Sequence, residues 1–303
     1  MNPTGNPIGA NTWIWTSPLT DGRLAELTPR IAAWGFDLVE LPVENPNDWD
    51  PDRAAEVLRA HDLAATVCAV MPPGRELVAA DPETIAATQD YLRTCVDVAA
   101  IVGLATNGIG DAVVAGPIYA SVGRKWRLSA AERARLVREL AGNLAPVAEY
   151  AAGSGVRLAL EPLNRFETSL INTVGQATEV VDAVGSPALG LLLDTFHMNI
   201  EERSIPDAIR MAADRVYHFH ACANDRGAPG VDHLDWDGIV RALDEVGYEG
   251  AVVIESFTAE NEAIATAAAI WRPLAGSQDG IATDGLAFLR RALGNRRREG
   301  GDK

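Results

Sequence analysis

Four side chains of types that bind metal ions stand at the ends of apolar segments in the second half of the chain: Glu161, Asp194, His220 and Glu255. They lie 33, 26 and 35 residues apart, and each interval matches one β-α-β unit of roughly 30 residues. A single acid at a strand end is more often a helix cap than a ligand, but four such residues in succession favour a shared site. Three carboxylates and one imidazole favour a Mn²⁺, Co²⁺ or Mg²⁺ centre over a thiolate-bound zinc.

The segments that follow these residues carry hydrogen-bonding groups suited to a polyhydroxylated ligand. They are 164–167 (NRFE), 195–197 (TFH) and 224–226 (NDR), and all three are predicted as loops. His218 and His220 lie two positions apart, so both point to one face of a strand. His220, nearer the strand end, is predicted as the ligand, and His218 as a core histidine with a satisfied hydrogen bond.

Two neighbouring side chains have less specific signals. Phe257 offers an apolar surface beside Glu255. Arg226 is placed to contact a substrate, but Asp225 and Asp232 are equally available as ion-pair partners.

The elements that must position these residues follow one repeating pattern. Eight apolar runs are predicted as strands: residues 8–14, 36–43, 64–70, 112–118, 156–160, 189–193, 216–219 and 251–254. Amphipathic helices are predicted between them: residues 24–34, 51–61, 82–102, 130–152, 174–184, 205–213 and 236–246. Trp13 and Trp15 alternate along the first run and are interpreted as core residues, with stacking on a sugar ring as the alternative. Several runs are continuously apolar, as in parallel strands covered on both faces.

This pattern predicts an α/β protein with a single (β/α)8 TIM barrel, whose active site lies at the carboxyl ends of the strands. The barrel is predicted over residues 1–293, with a charged tail at 294–303. A doubly wound open sheet is the alternative. No G-x-G-x-x-G follows the first run, so a dinucleotide site has no support.

Composition limits the classes of partner. The chain has 303 residues, of which 48% are hydrophobic, and its 42 acidic and 26 basic residues give a net charge of −16. A nucleic-acid or anionic-membrane partner needs a basic face, so neither is expected. Three separated cysteines without a C-x-x-C motif, and no leader-like pattern in residues 1–10, favour a cytoplasmic protein.

The chain resembles the D-tagatose 3-epimerase / D-allulose (psicose) 3-epimerase family, a branch of the xylose-isomerase-like barrels. The resemblance is carried by residues 158–167 (LALEPLNRFE), 193–202 (LDTFHMNIEE), 218–220 with 224–226 (HFH and NDR), and 254–257 (IESF). Residues 35–41 (GFDLVEL), 115–119 (AGPIY) and 270–273 (IWRP) extend it over essentially the whole chain. The run DTFHMNIEE is long and unusual, and is the most specific of these segments.

The resemblance implies a ketose 3-epimerase in which four residues bind Mn²⁺ or a similar ion: Glu161, Asp194, His220 and Glu255. The resemblance also implies that the two glutamates exchange the proton. Three residues are implied to contact the O1 to O3 end of a ketose: Glu167, His197 and Arg226. Phe257 is implied to line the pocket, and the assembly to be a homodimer or homotetramer. Ala223 departs from the pattern, because many relatives carry Glu there; we expect an effect on loop packing or substrate choice.

Epimerisation beside a ketone needs an acidified C–H bond, a base on one face and an acid on the other. A divalent cation that binds the ketone oxygen and the O3 hydroxyl stabilises a cis-enediolate, and Glu161 and Glu255 can serve as the acid–base pair. The sequence leaves three alternatives open. They are a ketose–aldose isomerase on the same metal site, a nuclease on the same barrel, which the charge disfavours, and a non-catalytic sugar-binding barrel.

Overall fold

The computed structural model describes residues 5–104 and 112–294. Eight strands alternate with helices along the chain. The strands are β1 (Ile8–Asn11), β2 (Leu38–Val43), β3 (Ala64–Ala69), β4 (Ala112–Gly116), β5 (Val156–Leu160), β6 (Leu189–Asp194), β7 (Val216–Ala221) and β8 (Val252–Ile254).

Ten α-helices occur within the described ranges. They are α1 (Asp21–Trp34), α2 (Pro51–Ala60), α3 (Pro82–Leu104), α4 (Ala130–Gly153), α5 (Val174–Val184), α6 (Thr195–Glu201), α7 (Ile205–Ala212), α8 (Trp236–Glu245), α9 (Glu262–Ala267) and α10 (Gln278–Gly294). Short 3₁₀ segments, Thr12–Ile14 and Ala213–Arg215, precede α1 and β7.

The strands form one closed parallel barrel in sequence order, and β1 pairs with β8 to complete it. The prediction of a (β/α)8 TIM barrel is confirmed, and the alternative of an open doubly wound sheet is wrong. Closure leaves no unpaired sheet edge. All eight carboxyl ends therefore meet at one rim, where the predicted site residues are expected.

Local sequence signals explain where the helices start and stop. Ser129 and Glu132 form a reciprocal capping box at the start of α4, which satisfies two backbone N–H groups that the helix cannot pair. Thr173 and Gln176 form the same motif for α5. Gly35 ends α1 in the left-handed region with φ of +91°, a conformation that glycine adopts without steric cost.

The core lies between the outer face of the barrel and the helices. The side chains of β2, β3 and β6 are buried along their whole length, because the barrel interior covers one face and the helices cover the other. This explains the continuous apolar runs in the sequence.

Three local predictions need correction. β1 ends at Asn11 rather than Ile14, because the Asn11 side chain accepts a hydrogen bond from the Trp13 backbone N–H and starts a 3₁₀ turn. Residues 195–197 lie in α6, not in a loop. The sequence reading also missed α9 and α10, the helices that follow β8.

Two other predictions concern the ends of the chain and its location. Residues 295–303 of the predicted tail lie outside the described residues, and Gly294 ends α10. No helix in the described ranges combines the length and apolar character that crossing a bilayer requires. The cytoplasmic location stays a prediction.

Candidate active site and metal centre

The four predicted ligands converge at the carboxyl-terminal rim of the barrel. Glu161 directly follows β5, Asp194 ends β6, His220 lies near the end of β7 and Glu255 directly follows β8. One ligand atom from each lies within 4.8 Å of the others. All four side chains are buried, with 5% exposure or less. Four consecutive strands thus present three carboxylates and one imidazole to a single point.

Backbone contacts set the orientation of two of these residues. The Glu161 backbone N–H donates to the carbonyl oxygen of Gly116 on β4 at 3.0 Å. Asp194 caps α6, because its Oδ1 accepts the Phe196 backbone N–H at 2.8 Å. The cap engages Oδ1, and Asp194 Oδ2 faces the cluster.

Glu40 on β2 is a buried carboxylate beneath the four ligands that sequence reasoning missed. Its two oxygens lie 2.8 Å from His220 Nε2 and 2.7 Å from His218 Nε2. The prediction of a core His218 with a hydrogen bond is confirmed at Nε2, whereas its buried Nδ1 has no hydrogen-bond partner among the described residues. The available signal was weak, because Glu40 is the one acid inside the apolar strand LVELPV and its partners lie far away in the chain.

The protein groups of the cluster shift one another's ionisation. Burial raises the pKa of Glu161 well above its usual range, and the Glu255 carboxylate adds to the rise. Burial also raises the pKa of Asp194, to about 6, although Arg226 opposes it. Burial acts on Glu255 in the same direction, but His220 and Arg226 outweigh it and hold the pKa of Glu255 below its usual value. Close carboxylates resist simultaneous ionisation, and a cation among them would relieve this.

Two observations indicate that these residues fit a divalent cation. Within the described part of the chain, Glu161 Oε1 and His220 Nδ1 are buried and have no hydrogen-bond partner, which is costly for polar atoms unless something else binds them. The donor set of carboxylate oxygens and one imidazole nitrogen also suits Mn²⁺ and related ions. Glu161, Asp194, His220 and Glu255 are the residues that would hold the ion.

Arg226 lies against this cluster rather than in the solvent. Its Nη1 donates to Asp194 Oδ2 at 2.8 Å and to Glu255 Oε2 at 3.0 Å. The guanidinium lies over the Phe196 ring at 3.9 Å and near the Phe257 ring at 5.0 Å, and planar cations pack favourably on aromatic faces. The alternative pairings of Arg226 with Asp225 and Asp232 are wrong.

The other predicted substrate residues lie in the same pocket. His197 Nε2 is 3.1 Å from Arg226 Nη2 and 3.5 Å from Glu161 Oε1, and its Nδ1 accepts the Asn164 backbone N–H at 3.1 Å. Glu167 accepts a hydrogen bond from the Asn164 amide at 2.8 Å. The structure therefore brings together all the predicted residues, and adds Asn164 as the group that holds both His197 and Glu167.

The pocket above the cluster has a volume of about 390 Å³ and two unlike walls. The segments after β5 to β8, α6 among them, supply the polar groups. The end of β3 and the segments after β1, β3 and β4 supply a mainly apolar wall that includes Trp13, Cys68, Val70, Met71, Pro72, Pro117 and Val122. Trp13, within the 3₁₀ turn rather than on β1, packs on Phe257 with the ring centroids 5.9 Å apart.

A larger cavity of about 680 Å³ lies at the opposite, amino-terminal end of the strands. It contains none of the four candidate ligands. Since residues that act in catalysis lie at the carboxyl ends of barrel strands, side-chain chemistry and not cavity volume locates the site.

Comparison with known proteins decides the family. The family model for the xylose isomerase-like TIM barrel matches residues 29–291. The chain belongs to this family. Within it, the chain is a member of the ketose 3-epimerases. It is 34% identical over 283 residues to the probable ketose 3-epimerase of Synechocystis sp., covering 93% of this chain and 95% of that protein.

Two further relatives agree with this membership. The D-psicose 3-epimerase of Agrobacterium fabrum is 33% identical, with 88% of this chain and 92% of that protein covered. A solved structure of L-ribulose 3-epimerase superimposes with a TM-score of 0.87 at 30% identity, covering 97% of each chain. The resemblance predicted from the sequence motifs is confirmed. As a member of the ketose 3-epimerases, the chain is an enzyme.

Proposed function

We propose that this enzyme epimerises free ketoses at C3 through a cis-enediolate, with Glu161 and Glu255 as the acid–base pair. The observation that carries the proposal is the convergence of four buried ligand atoms within 4.8 Å at the rim, two of them from these glutamates. We propose Mn²⁺ as the ion, with Co²⁺ or Mg²⁺ as alternatives, held by Glu161, Asp194, His220 and Glu255. When bound, such an ion acts as a Lewis acid towards the sugar oxygens and makes the neighbouring C–H bond more acidic.

Glu161 and Glu255 come from strands that are not adjacent, β5 and β8. A sugar between them would present one face of C3 to each carboxyl group. One glutamate removes the C3 proton and the other donates a proton to the opposite face, so the configuration inverts. Which glutamate acts as the base depends on which epimer enters.

The remaining site residues orient the sugar. His197 and Arg226 lie within hydrogen-bonding distance of each other and next to the carboxylates, so both are placed to bind the O1 to O3 end. Glu167 lines the same pocket, and its contact with Asn164 fixes its direction. Accurate placement matters, because a displacement of about 1 Å can cost roughly a hundredfold in rate.

The pocket favours an unphosphorylated sugar. Among the described residues that line it, Arg226 is the sole lysine or arginine, and its guanidinium already pairs with Asp194 and Glu255. A phosphate would need further donors. The relatives are named for ketoses, D-psicose and L-ribulose, and we propose a substrate from this group. A homodimer or homotetramer stays a prediction.

Isotope exchange tests the reaction. We expect incubation with D-fructose or D-tagatose in D₂O to place deuterium at C3 of the product, because solvent exchanges with the proton held by the glutamates. Mass spectrometry and NMR of the recovered sugars locate the label. Deuterium at C1 or C2 with aldose formation would instead identify a ketose–aldose isomerase. Absence of exchange with D-fructose, D-tagatose, D-psicose and L-ribulose in the presence of Mn²⁺ would contradict the proposed reaction.

A further inference from the structure

A hydrogen-bonded network beneath the candidate ligands centres on Glu40. The carboxylate lies on β2, across the barrel from β7, and is fully buried. Its Oε1 accepts from Asn11 Nδ2 at 3.0 Å and lies 2.8 Å from His220 Nε2. Its Oε2 accepts from Thr66 Oγ1 at 3.0 Å and lies 2.7 Å from His218 Nε2. Each oxygen therefore meets two donors.

The contact with Glu40 distinguishes the two nitrogens of His220. An ionised carboxylate only accepts hydrogen bonds, so Nε2 of His220 must carry the hydrogen. Nδ1 lies 3.5 Å from Glu255 Oε1 and has no hydrogen-bond partner within the described residues. In a neutral imidazole with Nε2–H, the lone pair of Nδ1 points to the side of the ring where the three acidic ligands converge.

His218 makes the network symmetric. Its ring lies 5.1 Å from that of His220 at an interplanar angle of 76°, and it contacts the second carboxylate oxygen as His220 contacts the first. Asn11, Thr66 and His218 thereby hold the Glu40 carboxylate in one plane and one direction. A carboxylate fixed in this way sets the rotation of the His220 ring as well as its tautomer.

Glu40, His218 and His220 are also a group whose residue types can bind a cation. The nitrogen-to-oxygen separations of 2.7 and 2.8 Å are those of charge-assisted hydrogen bonds. Asn11 and Thr66 donate to the same carboxylate from the other side. The group is therefore a hydrogen-bonded support and not a second metal centre.

We propose that Glu40 is a positioning residue that fixes His220 as the Nε2–H tautomer, so that Nδ1 is the atom that binds the ion. The inference rests on the metal centre of the proposed function and extends it to a residue outside the ligand set. Outer carboxylates of this kind orient ligating imidazoles, and their loss lowers metal affinity by about 10–100-fold.

The first test compares metal affinity in three proteins stripped of metal. Glu40→Gln keeps the size of the side chain, but an amide cannot accept from both imidazoles, because one of its two ends is a donor. We expect calorimetric titration with Mn²⁺ to give a Kd about 10–100-fold higher than that of the wild type. Glu260→Gln is the matched control, since it makes the same change at an exposed glutamate outside this network; its Kd should stay at the wild-type value.

The second test reads the tautomer directly and does not depend on whether the variant folds. The wild-type protein, labelled with ¹⁵N-histidine and loaded with diamagnetic Zn²⁺, should show the His220 proton on Nε2 and a metal-shifted Nδ1 in two-bond ¹⁵N–¹H spectra. A proton on Nδ1, or an unchanged Mn²⁺ affinity in folded Glu40→Gln, would overturn the role of Glu40 and leave the metal centre standing. Absence of any Mn²⁺ or Zn²⁺ binding to the wild type would overturn both.

Discussion

At the scale of single residues, the two glutamates of the site differ in environment although they share one cluster. Burial and the neighbouring Glu255 carboxylate raise the pKa of Glu161, whereas His220 and Arg226 hold the pKa of Glu255 down despite its burial. Groups whose surroundings push their pKa values apart are suited to opposite acid and base roles. A bound cation would lower the pKa of both carboxyl groups. The difference between their pKa values therefore comes from the protein.

Replacement of either glutamate by glutamine tests the acid–base pair. Glu161→Gln and Glu255→Gln keep the size of the side chain but remove the group that transfers a proton. We expect kcat for ketose epimerisation to fall at least about 100-fold in each variant, measured by chromatography of the sugar products with circular dichroism as a check on folding.

Glu260→Gln is the control for this pair. Glu260 lies in the same loop as Glu255 but is exposed, and its variant should keep wild-type kcat. Turnover close to the wild-type rate in either Glu161→Gln or Glu255→Gln would disprove the two-carboxylate scheme.

The sequence predicted the site best where the signal was local. Asp194 and Glu255 each end an apolar strand, so the change in residue type marks the rim. Glu40 could not be found this way, because it stands inside an apolar strand and its partners His218 and His220 lie 178 and 180 residues later. Only barrel closure brings them together.

At the scale of elements, the end of β4 helps to position the candidate ligand Glu161. Gly116 has φ of +136°, and a Cβ at this position would lie 2.6 Å from the carbonyl oxygen of Ala69 on β3. The Gly116 carbonyl also accepts the backbone N–H of Glu161. A close strand-to-strand approach thus sets the position at which a candidate ligand leaves β5.

Gly116→Ala should therefore disturb both stability and the site. We expect the free energy of unfolding to fall by about 1–3 kcal/mol because of overpacking, with a loss of turnover as Glu161 shifts. Urea unfolding followed by circular dichroism measures the first effect.

The matched control is Gly142→Ala, on an exposed position of α4 where a Cβ has nothing within 4 Å. It should raise the free energy of unfolding by about 0.5–1 kcal/mol. Equal effects of the two substitutions would contradict the role given to Gly116.

Element prediction succeeded where strands and helices are separated by clear breaks. It failed at residues 195–197, because β6 passes directly into α6 with Asp194 serving both as the last residue of the strand and as the helix cap. The first strand was overextended for a related reason. Asn11 ends it by capping a turn, and residues 12–14 (TWI), which are typical of strands, gave no sign of a break.

At the scale of the whole molecule, four ligands on four separate strands make ion binding a property of the folded barrel. An unfolded chain does not hold these residues together, so the ion should bind the native state preferentially and stabilise it. The charge of −16 acts in the same direction, since a strongly negative protein attracts cations.

Removal of metal should lower both activity and thermal stability. We expect EDTA treatment followed by dialysis to abolish epimerisation, and Mn²⁺ or Co²⁺ to restore it. At a concentration of 100 times Kd, Mn²⁺ should add about 2.7 kcal/mol to the free energy of unfolding, detected as a higher Tm by scanning calorimetry.

Asp194→Asn provides the control, because it removes a ligand charge while keeping the side-chain shape. The Mn²⁺-dependent rise in Tm should shrink or vanish in this variant. Full activity after exhaustive chelation would show that the reaction does not depend on a metal ion.

The difference between the two walls of the pocket has a consequence for how the substrate preference of such an enzyme can change. Every proposed ligand and proton donor lies between residues 161 and 255, whereas the apolar wall comes largely from residues before 124. Mutations in the earlier stretch can therefore alter which ketose is accepted while the reacting groups stay in place. Libraries built at Cys68, Val70, Met71 and Val122 would explore new sugar preferences without rebuilding the catalytic apparatus.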